Sequence, residues 1–201
     1  MLGIASIVKR ISHSLLIIAP NDVKDYLNYF DINVNEMEVS ENICLDGKVG
    51  FISTNFLKAK EREFYKRFRS DSTSWNDYVQ RIKFEKFNIV LCGCEHSKTS
   101  TSIGVMDTVT GKSFSYSGDT MPSPLFAFIS QDFDVMIHES TFAKDQIDLA
   151  RKTGHSTNEE AREIFRISNS RTLLLTHFSN RNEMSSIADD CVSDFFRYTF
   201  K

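Results

Sequence analysis

The sequence has 201 residues, the size of one ordinary domain. Hydrophobic residues make up 41% of it, and no run approaches the roughly 20 apolar residues of a membrane span. The formal net charge of −3 excludes a general electrostatic attraction to nucleic acid, so any RNA binding must use a local basic patch. Four cysteines are too few for a disulfide-rich scaffold, which favours a reduced, intracellular protein.

The first eleven residues, MLGIASIVKRI, have the spacing of an amphipathic helix with no capping residue in front of it. A helix that is already under way at the first residue predicts that upstream sequence belongs to the same domain. The segment lacks a small-residue cleavage site, so we do not interpret it as a signal peptide.

The rest of the first half predicts short strands and helices. The apolar run at residues 14–19 is typical of a buried strand, and residues 22–30 have apolar side chains at helical spacing. Two short strands are predicted near residues 33–39 and 49–54. Residues 58–69 (KAKEREFYKRFR) form the main basic cluster, with aromatic residues interleaved. Such a segment can hold single-stranded RNA, but a solvated helix whose aromatic side chains face the core is the commoner arrangement.

The second half has a more regular pattern, with a hairpin turn at Thr110-Gly111 and a helix-capping box formed by Thr157 and Glu160. The hairpin, combined with strands that alternate with helices, predicts an α/β fold with a mixed sheet. Strands are predicted over residues 87–94, 102–109, 112–117, 133–138 and 172–177, and helices over residues 122–129, 144–153, 158–168 and 184–196.

Histidines and one aspartate follow the predicted strands. Asp119 lies in a glycine turn directly after a strand, and His96 and His177 are also at strand ends. Imidazole and carboxylate groups are the ligands of hydrolytic zinc sites. A Ser-Gly-Asp turn is also common without any metal, and a lone histidine is more often structural. Of the other histidines, His138 and His155 lie in polar segments, whereas His13 precedes a predicted strand.

Three segments of the sequence resemble signature segments of tRNase Z in order and spacing: IHESTF (137–142), GHST (154–157) and LTHFSNR (175–181). Together with YSGDTMP (116–122) they are highly specific. The resemblance covers most of the chain and is weakest over residues 31–84. The opening of the chain resembles the stretch that follows the first metal motif of this family, and the whole chain resembles the C-terminal part of its long form. The family has the metallo-β-lactamase fold, a four-layer αββα sandwich.

The resemblance implies a role for each matching residue. His96, Asp119 and His177 are expected to bind zinc, with Asp119 bridging two ions. His155 is expected to donate a proton to the leaving oxygen, and Glu139 to orient it. The resemblance further implies that a metal-activated water attacks precursor tRNA after the discriminator nucleotide, leaving a 3′-hydroxyl.

Neighbouring residues have more than one interpretation. We expect His138 to stabilise its loop, and Ser156 and Thr157 to cap the following helix. Ser179 and Arg181 either contact phosphate or fix their loop.

The HxHxDH motif of the family does not occur in the sequence. The resemblance places it immediately before Met1, so residues 1–201 are expected to form a single, partial domain whose zinc ligand set is incomplete. Three hypotheses follow: a piece of an active ribonuclease; a non-catalytic binding or structural partner, pairing with the missing N-terminal half or as a dimer; or another phosphodiesterase of this fold. The GHST and HEST segments count against the third. The resemblance to the long form implies the nucleus or the mitochondrion.

A structural zinc site formed by Cys92, Cys94 and His96 is a further alternative, because alternate residues of a strand point to one face. Zinc motifs usually have wider cysteine spacing. We therefore expect the two cysteines to pack as small apolar groups.

Overall fold

The computed structural model describes residues 15–37, 43, 45, 49–67, 74–97 and 99–179. The predicted helices at residues 1–11 and 184–196, together with His13 and Arg181, lie outside this range. Within the described residues, no helix is both long and apolar enough to cross a membrane.

The strands are β1 Leu15–Ala19, β2 Asn35–Glu36, β3 Val49–Ser53, β4 Gln80–Phe84, β5 Phe87–Gly93, β6 Thr101–Asp107, β7 Ser113–Tyr116, β8 Val135–Glu139 and β9 Thr172–Thr176. The α-helices are α1 Asn21–Tyr29, α2 Leu57–Arg67, α3 Pro124–Ile129, α4 Ile147–Thr153 and α5 Asn158–Ser168, and 3-10 turns cover Trp75–Tyr78 and Lys144–Gln146.

The strands form two sheets. The smaller sheet has the order β1-β3-β2 and is parallel. The larger sheet has the order β4-β5-β6-β7-β8-β9; it is antiparallel from β4 to β7 and parallel from β7 to β9. The mixed sheet predicted from the sequence is therefore confirmed. Because β5 runs in the same direction as β7, β8 and β9, the carboxyl ends of these four strands meet at one edge of the sheet.

The buried side chains define four layers. Helices α3 and α5 pack on one face of the larger sheet, where Phe126, Ile164 and Met136 share a core. A second core containing Ile52 and Leu91 lies between the two sheets. Helix α1 covers the outer face of the smaller sheet through the fully buried Leu27. The order helix, sheet, sheet, helix is that of an αββα sandwich, as expected from the sequence.

Several predicted boundaries shift for identifiable reasons. Helix α3 begins at Pro124 rather than at residue 122, because Ser123 caps it by accepting a hydrogen bond from the Phe126 N–H. The helix predicted at residues 144–153 begins as a 3-10 turn. Strand β2 has two residues, Asn35–Glu36, instead of the seven predicted.

Strand β4 was not predicted. Its central Ile82 is buried, whereas Arg81 and Lys83 face solvent. One apolar residue between two cations is a weak strand signal, and the strand depends on its pairing with β5. In the basic segment, Phe64 is fully buried against Tyr78 with ring centroids 5.3 Å apart, so the core interpretation holds for this aromatic residue.

Helix α5 begins with a capping box formed by Thr157 and Glu160. The Thr157 hydroxyl accepts a hydrogen bond from the Glu160 N–H (3.3 Å), and the Glu160 carboxylate accepts one from the Thr157 N–H (3.0 Å). Thr157→Ala is expected to lower the free energy of unfolding by about 1 kcal/mol, because it removes the cap. Urea denaturation measures this loss. The solvent-exposed Thr153→Ala serves as the control, and an equal effect of both changes would contradict the capping role.

Candidate metal centre

The candidate site lies at the edge where β5, β7, β8 and β9 end. The loop after β5 carries His96, the turn after β7 carries Asp119, β8 ends at Glu139, and His177 directly follows β9. His155 comes from the segment between α4 and α5. The sheet topology therefore brings together five residues that are far apart in the sequence.

Asp119 lies between the two histidines that were predicted as its fellow ligands. Its Oδ2 is 4.0 Å from His96 Nε2, and its Oδ1 is 3.7 Å from His177 Nδ1. Each carboxylate oxygen thus faces a different imidazole, and both distances are too long for a direct hydrogen bond. The side chain of Asp119 is 37% exposed, so ions in solution can reach it.

Glu139 holds His155 in place. This carboxylate is 1% exposed, and its Oε1 accepts hydrogen bonds from His155 Nδ1 and from the Thr120 N–H, both at 2.8 Å. Its Oε2 accepts from the N–H (3.1 Å) and the hydroxyl (2.6 Å) of Thr141. The orienting contact expected from the sequence is present in the geometry, and the two threonines extend it.

The hydrogen-bond partners assign the same tautomer to all three histidines of the site. His96 Nδ1 lies 2.9 Å from the Gly154 carbonyl oxygen, which can only accept, so this nitrogen is the donor. His155 Nδ1 likewise donates to Glu139. The Thr141 hydroxyl gives its proton to Glu139, so it accepts at 2.7 Å from His177 Nδ1. Each imidazole therefore keeps a lone pair on Nε2.

This pattern fits a metal ion. Histidines that bind metals usually donate their other N–H to a carbonyl or carboxylate, which fixes the ring and its tautomer. His96, Asp119 and His155 have ligand atoms that lie within 4.8 Å of one another, and so do Glu139, His155 and His177. His155 belongs to both groups and is stacked with His177 at a centroid distance of 5.3 Å. The sequence predicted His155 as a proton donor and not as a member of these groups of candidate ligands.

Positive φ angles occur at three points of the site. Gly118 (+62°) precedes Asp119, Gly154 (+75°) ends α4, and His177 itself has φ +59°. For a residue with a Cβ, this left-handed conformation costs about 1–2 kcal/mol. His177 is held there by Thr141, whose hydroxyl accepts from its ring and whose carbonyl accepts from the Ser179 N–H at 3.1 Å.

Gly154→Ala is expected to disturb the site more than an equivalent change elsewhere. The added Cβ would lie 3.1 Å from His96 Nδ1, so it would push the ring away in addition to straining the backbone. Gly111→Ala is the matched control, since Gly111 has φ +69° and no atom within 4 Å of the new Cβ. Both variants should lose about 1 kcal/mol of stability, but only Gly154→Ala should weaken Co²⁺ binding in an absorbance titration. Equal affinities of the two variants for Co²⁺ would show that a side chain at residue 154 does not displace His96.

The comparisons with known proteins agree with this geometry. No family model matches the chain. It is 40% identical over 84 residues to the ribonuclease Z of Haloarcula marismortui, covering 42% of the chain and 26% of that protein. It is 29% identical over 172 residues to the ribonuclease Z of Archaeoglobus fulgidus, covering 78% of the chain and 54% of that protein. The chain thus spans about half or less of these relatives.

The fold is also similar to that of human tRNase Z, short form. The TM-score is 0.59 at 18% sequence identity, covering 88% of this chain and 65% of that one. This chain is a ribonuclease Z relative with the metallo-β-lactamase fold. The sequence similarity to ribonuclease Z agrees with the resemblance seen in the motifs, and the structural similarity shows the fold.

In this ribonuclease Z relative, His138 lies in the core rather than at the candidate metal centre. It is fully buried, its Nδ1 lies 2.7 Å from the Glu139 carbonyl oxygen, and its ring packs edge-on against Phe126. Burial lowers its pKa, so the ring is neutral near pH 7. It is in neither group of candidate ligands, and the carbonyl contact stabilises the end of β8.

Ser156 has a different role from the one predicted. Thr157 alone is the N-cap of α5. The Ser156 hydroxyl instead donates to the Thr120 carbonyl at 2.7 Å, which ties the His155 segment to the Asp119 loop. The capping prediction for Ser156 was wrong because the side chain turns towards that neighbouring loop. Ser179 contacts Thr141 through its backbone, and a phosphate contact for Ser179 or Arg181 stays a prediction.

The two described cysteines of this relative are packing residues. Burial raises the pKa of Cys92 well above its usual value and that of Cys94 to about 12, so both thiols are protonated. Cys94 Sγ lies 3.1 Å from the Ser102 hydroxyl. Among the described residues, neither cysteine belongs to a group of candidate metal ligands, which removes the support for a cysteine zinc site.

Proposed function

We propose that this chain provides the catalytic edge of a zinc-dependent endoribonuclease that removes the 3′ trailer of precursor tRNA. The observation that carries the proposal is Asp119 between His96 and His177, next to the His155–Glu139 pair. The relatives named ribonuclease Z supply the reaction class. Precursor tRNA is therefore the proposed substrate.

Zinc bound here would lower the pKa of a water molecule and stabilise negative charge on the reacting phosphate. His96, Asp119 and His177 would hold the metal. The contact of His96 Nδ1 with the Gly154 carbonyl leaves its Nε2, the atom that faces Asp119, available as a ligand. Asp119 is the residue that can serve two ions, because its oxygens face different histidines. The resemblance to tRNase Z implies two zinc ions.

His155 is proposed to be the general acid. Its Nδ1–H is held by the buried Glu139 carboxylate at 2.8 Å, and this contact stabilises the imidazolium when Nε2 takes up a second proton. His155 would deliver the Nε2 proton to the leaving oxygen. Glu139 acts on the reaction only by orienting His155 and stabilising its positive charge.

The test is cleavage of a labelled precursor tRNA with a 3′ trailer, in the presence of Zn²⁺. The product should end in a 3′-hydroxyl after the discriminator nucleotide. His155→Ala should reduce the rate by about 10²–10⁴-fold without lowering the zinc content, whereas the exposed Lys152→Ala should change neither. Loss of zinc in His155→Ala would instead assign His155 as a ligand.

Two outcomes would contradict the proposal. Hydrolysis of bis(p-nitrophenyl) phosphate without cleavage of tRNA would favour another phosphodiesterase of this fold. A zinc-loaded chain that cleaves neither substrate, even when it is mixed with a polypeptide that carries the HxHxDH motif, would favour a non-catalytic binding or structural partner.

A further inference from the structure

A buried ion pair lies directly behind the loop that carries His96. In helix α2, Lys58 Nζ is 2.9 Å from Glu61 Oε2, and the two side chains are only 16% and 3% exposed. Taking two charges out of water is unfavourable, and such a pair seldom stabilises a fold more than an apolar pair of the same size. Fold stability alone therefore does not explain it.

The pair extends to the backbone next to His96. Lys58 Nζ donates to the Cys94 carbonyl oxygen at 2.8 Å, and the His96 N–H donates to the same oxygen at 3.1 Å. An ammonium group and the amide of the candidate ligand thus converge on one acceptor. A hydrogen bond with a charged donor is roughly twice as strong as one between neutral groups, so this carbonyl is a firm anchor for the turn.

Helix α2 is also in direct contact with the end of β5. A Cβ on Gly93 would lie 2.7 Å from Glu61 Cβ and 2.7 Å from the Leu57 carbonyl oxygen, so only glycine allows the strand to approach this closely. On the other side of the turn, the Glu95 carbonyl accepts from the Met121 N–H at 3.0 Å. The ion pair therefore contacts the turn at residues 94–96, and this turn is hydrogen-bonded to the Asp119 loop.

We propose that Lys58 and Glu61 are positioning residues, which set the place of His96 relative to Asp119. Glu61 holds the ammonium group of Lys58, and Lys58 holds the Cys94 carbonyl that closes the turn. The inference rests on the proposed function only in taking His96 as a metal ligand. It adds two residues, on a helix outside the signature motifs, that determine the geometry of the site.

The decisive variant is the double change Lys58→Met and Glu61→Leu. Changing Lys58 alone would leave an uncompensated buried carboxylate and would destabilise the fold, whereas the double change removes both charges. The matched control carries the same substitutions in a remote pair, Lys24→Met and Glu36→Leu, whose charged atoms are 2.6 Å apart. Thermal unfolding, amide hydrogen exchange of the metal-free protein by NMR, and Co²⁺ affinity are measured for both.

In the Lys58/Glu61 double variant, the His96 amide should exchange about tenfold faster, and Co²⁺ should bind about 10–100-fold more weakly, with little change in the unfolding temperature. The control should match the wild type. The single variant Lys58→Arg keeps Glu61, the positive charge and a donor. Its His96 amide should therefore exchange as slowly as that of the wild type. Unchanged exchange at His96 in the double variant, or faster exchange in Lys58→Arg, would overturn the proposal.

Two safeguards keep the test decisive. If the double variant does not fold, Glu61→Gln replaces it; this change weakens the hold on Lys58 and should also speed exchange at His96, so an unchanged rate would overturn the proposal. If the wild-type chain binds no Co²⁺, the proposed function fails, while the exchange rates still decide the role of Lys58 and Glu61.

Discussion

Replacing Asp119 by alanine is expected to reduce tRNA cleavage by at least about a thousandfold. Stabilisation of charge by a metal ion is worth several kcal/mol, and each 1.4 kcal/mol is a factor of ten in rate. The carboxylate faces both His96 and His177, so its removal should weaken metal binding along with catalysis. Cleavage rates and Co²⁺ titration measure the two effects.

Stability separates this expectation from simple unfolding. The side chain of Asp119 is 37% exposed, and a substitution at such a position should change the free energy of unfolding by about 0.5 kcal/mol or less. Asp148→Ala, on the exposed first turn of α4, is the control and should retain full activity. A folded Asp119→Ala variant that binds metal and cleaves like the wild type would show that the chemistry lies elsewhere.

Glu139→Gln is expected to impair both folding and catalysis. The carboxylate accepts from His155, from the Thr120 N–H and twice from Thr141. An amide in its place would turn an NH₂ group towards N–H or O–H donors, leaving buried groups unpaired. Each such group costs about 1–3 kcal/mol. His155 would also lose the partner that stabilises its protonated form, so cleavage should fall by about 10²–10⁴-fold.

Glu163→Gln is the matched control for Glu139→Gln. Glu163 forms an exposed pair with Arg166 at 2.6 Å, and surface pairs contribute about 1 kcal/mol or less. Urea unfolding and cleavage rates are compared for the two variants. If Glu139→Gln had no more effect than Glu163→Gln, the buried carboxylate would have no orienting role.

Much of the fold was predictable because its elements have strong local signals. Helix α5 has a capping box and one apolar face, and the Thr110-Gly111 pair marks the turn between β6 and β7. Strand β4 was missed because its buried side is a single isoleucine, Ile82, and its other partners come from tertiary pairing. The pattern of residues within one segment does not show which strand that segment will pair with.

The candidate ligands were predictable from motifs, but the network that orients them was not. His96, Asp119 and His177 follow strands, and parallel strand ends share an edge. The tautomers depend on Thr141 and on the Gly154 carbonyl, which approach from other loops. Ser156 was assigned to a cap by its position next to α5, whereas its contact with Thr120 crosses between loops. The contact between Lys58 and the Cys94 carbonyl could not be predicted for the same reason, because it joins two separate elements.

The most direct test of the central claim is a crystal structure of the chain grown with Zn²⁺ and recorded at the zinc absorption edge. We predict an anomalous peak within about 2.0–2.2 Å of a carboxylate oxygen of Asp119 and of an Nε2 atom of His96 or His177. The same peak should be missing in the Asp119→Ala variant. A crystal grown with Zn²⁺ that shows no peak at this edge of the sheet, or a peak that survives the loss of Asp119, would contradict the account.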